Sequence, residues 1–367
     1  MVPYIVLFVC LLFGGFFEVC RPTNMNDLEE TKEKYKNFYA IIPGLIIFFL
    51  GVFRETSVGA DAQSYYIYYW NRLEGFTWNE LFTNFSIDNG FFIILKVIAL
   101  FTGDWWLARA TLFVLTFSLY YVIIIKESDY PCVSLLIFVG LANICFMLGI
   151  LRQSLAIGIC FFAYKYLKKN EWLKFIIFVL IAATIHKTAL ISLYAFIVSF
   201  FKLKKISHYK FILLSSIAAV VFYVAIPMIT ASYNTQIYEN VATSDGGYGM
   251  LLFMMIVFAI LGYLMNHIKR NEESTELNTE LVDKDEAVSL FNISCGAFFV
   301  QIGALQWSLL NRATACFSIY WCLLFPKLLN KLSQKNRLQV YLLLVVLFGF
   351  MFFYQIDEVE FFVMHSF

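Results

Sequence analysis

Apolar residues in this chain are gathered into long blocks separated by short polar stretches. Residues 41–53 and 211–229 are apolar around almost the whole circumference of a helix. They carry neither the alternation of a barrel strand nor the one-sided stripe of a helix on a soluble domain. Blocks of this kind suit the roughly 20-residue helices that cross a hydrocarbon core about 30 Å thick. Polar punctuation sets twelve of them, near residues 2–19, 38–53, 105–125, 132–150, 153–167, 172–185, 188–201, 210–229, 250–267, 287–306, 313–326 and 338–354. The pattern predicts an all-α, polytopic transmembrane bundle of about 12 spans. Three blocks, 153–167, 172–185 and 188–201, are short for a crossing, which predicts tilted, broken or buried helices there.

Charge placement orients the bundle. Of the 27 Lys and Arg residues, all but seven fall on alternate connections, the side that the basic bias of short loops assigns to the cytoplasm. The seven on the other side are Arg54, Arg72, Lys96, Arg109, Arg152, Lys187 and Arg312. Both termini are then external. An apolar run at residues 91–102 is too short to cross and is interrupted by Lys96, and a crossing there would invert the charge pattern after it. Residues 54–104 are therefore read as one large external loop holding a re-entrant or interfacial helix. Residues 230–249 form a second external loop and 267–286 a cytoplasmic linker, within a single integral membrane domain covering 1–367. The first block lacks the positively charged start and small-residue cleavage site of a secretory signal, so it is expected to remain as a helix.

Composition narrows the classes further. The chain is 61% hydrophobic and 14% charged, whereas soluble domains are about 25% charged. A formal charge of +1 with no long basic tract gives no footprint for nucleic acid. The eight cysteines lie mostly inside apolar blocks without a CxxC spacing, so they read as packing residues and no metal is expected. GxxxxGK[ST], HExxH and GxSxG are absent. A transferase facing away from the cytoplasm would have no nucleotide-sugar donor and would draw instead on a sugar activated by a lipid phosphate, which calls for cations.

Candidate cations stand on the external side. Arg54 closes the second block, Arg152 sits in the joint LGILRQSLAIG, and Arg312 lies in NRATACF. Gathered in one pocket, they would cradle phosphate or pyrophosphate oxygens bidentately, which lysine matches only as a point charge; each taken alone also suits snorkelling to the headgroups. His186, in ATIHKTALIS, could accept a proton near neutral pH or donate to phosphate, or play a structural part. Asp61, in FRETSVGADAQSYYIYYW, and Glu74, in LEGF, supply carboxylates to the external loop. Asp61 suits a base acting on a sugar hydroxyl, and equally a partner for Arg54 or a helix cap. Tyr65 and Trp70 offer rings for sugar faces, and Gln153 a side-chain amide beside Arg152.

The ordered series FRETSVGADAQSYY, LEGF, GILRQSLAIGI, KYLKKN, ATIHKTALI and NRATACF resembles the EpsG-like family of Wzy-type polysaccharide polymerases over about residues 50–325. Matching positions are Arg54, Asp61, Arg152 with Gln153, His186 with Thr188, and Arg312; Ala60 departs from the family, which often has Thr there. The resemblance implies a polymerase on the outer face of the bacterial cytoplasmic membrane, joining undecaprenyl-pyrophosphate-linked oligosaccharide repeat units of an exopolysaccharide, capsule or O-antigen. Arg54, Arg152 and Arg312 would bind pyrophosphate, Asp61 would lead as base, and His186 would be a second base or a phosphate donor. No cofactor or metal is implied. Partners would be membrane lipid and a chain-length regulator and flippase of the same pathway, and the fold would resemble membrane glycosyltransferases of the C type. A flippase or transporter of lipid-linked oligosaccharide, an O-antigen ligase and an O-acyltransferase remain the competing classes.

Overall fold

The computed structural model describes residues 2–21, 29–54, 67–84, 89–201, 208–231, 246–272, 278–306 and 310–358, and its regular elements there are helices. Two compact units divide the chain, residues Met1–Leu190 with Leu332–Phe367, and Ile191–Lys331. Among the described residues, five helices are long and apolar enough to cross a membrane, or six if one bent pair counts as a single crossing. An integral membrane protein built of helices follows.

The first unit contains α1 (Val2–Cys20), α2 (Glu29–Val52), α3 (Ile67–Trp70), α4 (Trp78–Asn84), α5 (Asn89–Ala99), α6 (Trp105–Glu127), α7 (Pro131–Gly140), α8 (Asn143–Gly149), α9 (Leu151–Lys168) and α10 (Trp172–Ile185), closed by α18 (Gln334–Glu358). Every residue of α7 is buried, and α1, α2 and α18 pack around it. Lipid supplies no water to satisfy the start of such a helix. Glu18 of α1 does so: its carboxylate accepts from the Cys132 N–H (2.9 Å) and the Val133 N–H (3.2 Å). An anion at a helix N-terminus also meets the positive end of the helix dipole.

Helix α6 packs on α2 and α9. Tyr120 donates to the carbonyl oxygen of Ser154 (2.8 Å), fixing α6 against the first turn of α9. Toward the end of α2, Gly51 faces the Phe113 ring, and a Cβ at Gly51 would fall 1.9 Å from Phe113 Cζ. This close approach seats the end of α2 against α6.

Two departures from the apolar blocks have physical causes. Block 132–150 reads as one helix, yet α7 and α8 meet at 59°. Ala142 between them takes a left-handed conformation (φ 59°), and the Asn143 amide donates to the carbonyl of Phe138 (3.1 Å) in place of a backbone partner. Block 313–326 instead becomes a chain of short helices linked by i→i+3 bonds, such as Phe317 N–H to Thr314 O (3.0 Å) and Tyr320 N–H to Phe317 O (3.2 Å). Apolar character there records burial rather than a straight rod.

The second unit comprises α11 (Leu193–Phe200), α12 (His208–Ala231), α13 (Gly246–Glu272), α14 (Asn278–Ala304), α15 (Leu310–Ala313), α16 (Ala315–Ser318) and α17 (Trp321–Asn330). α14 is its axis, packing against each of the others. Buried Lys327 of α17 pairs with Glu286 of α14 at 3.0 Å. Helical backbone enters the stretch read as the 267–286 linker from both sides, reaching Glu272 and resuming at Asn278, as its Glu and Lys content favours.

Candidate active site

Arg54 lies just beyond the C-terminus of α2 and is buried, 3% exposed. Its guanidinium Nη1 donates to the carbonyl oxygen of Met147 (3.3 Å), in the last turn of α8. A cation at that position meets the negative end of the α8 dipole. Three residues after α8 ends at Gly149 comes Arg152, in the first turn of α9. Arg54 therefore holds the helix that enters the α8–α9 joint, and half-buried Arg152 opens the helix that leaves it. Gln153 beside it is buried. The 18 residues of α9 also point the N–H groups of their first turn, and the positive dipole end, at this joint.

His186 arrives at the same end of the unit. Helices α9 and α10 pack as an antiparallel pair across a short turn at 169–171, so the start of α9 lies level with the end of α10. His186 is the residue that terminates α10, in extended conformation (φ −155°, ψ 122°). Its Nδ1 is 2.7 Å from the Thr188 hydroxyl and accepts from the Thr188 N–H (3.4 Å). Because a backbone N–H can only donate, this arrangement places the proton of a neutral ring on Nε2. The site then gains a donor from His186 before it gains a base.

Asp61 and Tyr65 lie outside the described residues. The part of loop 54–104 that is described packs on itself. Glu74 falls in a 3-10 turn, Leu73–Gly75, held by Lys96 of α5, whose Nζ donates to the carbonyl oxygens of Leu73 and Phe76. Trp70 is buried, with its indole N–H on the Gly103 carbonyl (3.3 Å) and its ring 5.6 Å from that of Trp105. Trp70 therefore pins the loop to the start of α6. Among the described rings of this loop Tyr68 is exposed, with the Arg72 guanidinium 3.7 Å above it. Thr77 and Glu80 form a capping box at α4: the Thr77 N–H (2.7 Å) and hydroxyl (2.8 Å) donate to the Glu80 carboxylate, which holds its pKa below the usual carboxylate range. At the start of α5, Gly90 abuts Thr184, two residues before His186.

In the second unit Arg312 is exposed on α15. Its neighbour Asn311 accepts from the Gln301 amide of α14 (2.7 Å), which also donates to the Gly247 carbonyl (3.1 Å). Most of loop 230–249 lies outside the described residues. Among the described residues, no three His, Cys, Asp or Glu side chains are grouped to hold a metal ion.

The profile of the EpsG family matches residues 37–365. The chain belongs to the EpsG family. The match takes in all the candidate positions, from Arg54 to Arg312, and makes this EpsG-family chain a member of a polysaccharide polymerase-like group. No curated protein and no solved structure matches it. Within this family member, reading the sequence missed two features of the arginine-bearing end. One is the open Tyr68–Arg72 pair, signalled only by an i, i+4 spacing of aromatic and cation. The other is Arg109, buried at 1% exposure in α6 and donating through Nη2 to the carbonyl oxygen of Arg54. Its place in the external basic set was visible, whereas its partner is 55 residues away.

Proposed function

We propose that this EpsG-family protein is a polysaccharide polymerase that joins undecaprenyl-pyrophosphate-linked oligosaccharide units at the outer face of a bacterial cytoplasmic membrane. The observation that carries the reading is the α8–α9 joint, where Arg54 braces α8, Arg152 opens α9, and the α9 N-terminus adds its own positive potential. Such a place suits a diphosphate. In the reaction, a sugar hydroxyl of one repeat unit attacks the anomeric carbon of another. The new C–O bond forms as the bond to the lipid pyrophosphate breaks, and a base takes the hydroxyl proton. Charge grows on the departing pyrophosphate, so donors fixed in advance in a site of low dielectric stabilise the transition state most.

Roles follow from that scheme. Arg54 and Arg152 bind the pyrophosphate, and the family resemblance gives Arg312 a phosphate-binding role as well. His186, with Nδ1 engaged by Thr188, donates Nε2–H to a phosphate oxygen. Asp61 is the base, with Glu74, Gln153, Tyr65 and Trp70 serving sugar binding or the loop that forms it. The shorter apolar helices, which include α5, α10 and the stretch Lys187–Phe200, would raise the crossings toward about 12 in a bundle like that of C-type membrane glycosyltransferases. Partners in this reading are the lipid-linked substrate, membrane lipid, a flippase and a chain-length regulator.

The test is incubation of the purified protein in liposomes with lipid-linked repeat units, followed by gel separation of the products. A ladder of multiples is expected. A single transferred unit would replace the polymerase with a ligase, and unchanged substrate would leave a transporter.

A further inference from the structure

Arg109 is the one member of the external arginine set that is fully buried and has so far been given no role. It lies on the face of α6 that meets the end of α2. Phe113, one turn further along, is the ring against which Gly51 packs, and Arg54 follows Gly51 by three residues. With the two helices antiparallel, the turn of α6 before Phe113 meets the backbone just past α2, and there the Arg109 guanidinium donates to the carbonyl oxygen of Arg54. Arg54 in turn donates to Met147 in the last turn of α8. The connection runs from α6 to the backbone of residue 54, through that residue's side chain to α8, and so to the joint that carries Arg152.

We infer that Arg109 is a positioning residue for the pyrophosphate site: it fixes the backbone from which Arg54 reaches, and through Arg54 the spacing of the two arginines across the α8–α9 joint. This rests on the pyrophosphate reading above. Lysine could reach the same carbonyl, but a guanidinium holds its donor in a rigid plane while an ammonium is a compact charge on a flexible stem, so Arg109 fixes the backbone of residue 54 more tightly than lysine would. Buried at 1% exposure, Arg109 acts through Arg54 rather than by touching the substrate.

A double-mutant cycle on the full-length protein in detergent separates positioning from general support of the fold. Binding of radiolabelled farnesyl pyrophosphate, a short probe of the prenyl diphosphate class, is measured by equilibrium dialysis for wild type, Arg54→Lys, Arg109→Lys and the double variant. Each single change is expected to weaken binding about tenfold, and the double variant to be no weaker than Arg54→Lys alone, because both act on one contact. Losses that multiply to about a hundredfold, or an Arg109→Lys protein that binds like wild type, would overturn the positioning role and leave the polymerase reading standing. Wild-type protein that does not bind the probe saturably would overturn both. If Arg109→Lys does not fold, Gly51→Ala tests the same contact by pushing the end of α2 off Phe113. It should weaken binding in wild type and add no further loss to Arg54→Lys; multiplicative loss there counts against the proposal.

Discussion

A lysine in place of Arg152 keeps the charge at the α8–α9 joint but not the two parallel donors that fit one phosphate. Arg152→Lys, and separately Arg312→Lys, is expected to abolish long polymer with expression unchanged, each change costing about tenfold or more in chain-extension rate. Normal chain lengths from both variants would remove the fork geometry from the mechanism. His186 makes a sharper case, because its two possible roles call for opposite replacements. If Nε2 donates to phosphate, His186→Gln places a side-chain amide N–H in that region and retains much of the rate, whereas His186→Ala falls by about a hundredfold. Were His186 the base, Gln and Ala would be equally inactive. Initial rates from purified variants, normalised to folded protein, decide between them. The sequence placed Thr188 two residues after His186, but that its hydroxyl and N–H meet Nδ1 follows from the extended backbone at residue 186.

Helices show where apolar pattern informs and where it stops. The blocks near 2–19, 105–125 and 338–354 correspond to α1, α6 and α18 because each is apolar over a full crossing and bounded by charge. The bend at Ala142 left no proline to mark it: its cause is a left-handed backbone stabilised by the local bond of Asn143, a single buried amide in a mostly apolar run. Glu18 was equally hidden. Within the block it looks like an end residue, yet it is 4% exposed and caps α7, 114 residues away. Removing it should therefore act on stability at the end of the unit opposite the arginines. Glu18→Ala strands the Cys132 and Val133 N–H groups where no water reaches, costing about 1–3 kcal/mol. Thermal unfolding of the purified protein should show the loss, while affinity for a prenyl diphosphate in the folded fraction stays near wild type. An equal fall in both would mean that the two ends of this unit are not independent.

At the scale of the molecule, the assignment depends on which side of the membrane the arginine-bearing end of the first unit faces. Charge counting puts the turn at 169–171 in the cytoplasm, and that turn is the far end of the α9–α10 pair from Arg152 and His186. Lys169 is exposed there, and Trp78 is exposed, 46%, on the loop that packs at the arginine end. The eight native cysteines are all buried or half-buried and supply only a low background. A membrane-impermeant maleimide applied to intact spheroplasts is therefore expected to label a Trp78→Cys protein and to spare Lys169→Cys until the membrane is opened. The reverse order would turn the unit over, placing Arg54, Arg152 and His186 where nucleotide sugars are present and lipid-linked repeat units have not yet been delivered across the membrane. That result would remove the polymerase reading even though the same side chains still stand at one end of the unit. It would do so because a diphosphate-binding end selects this substrate only on the side of the membrane where the lipid carrier alone brings activated sugar.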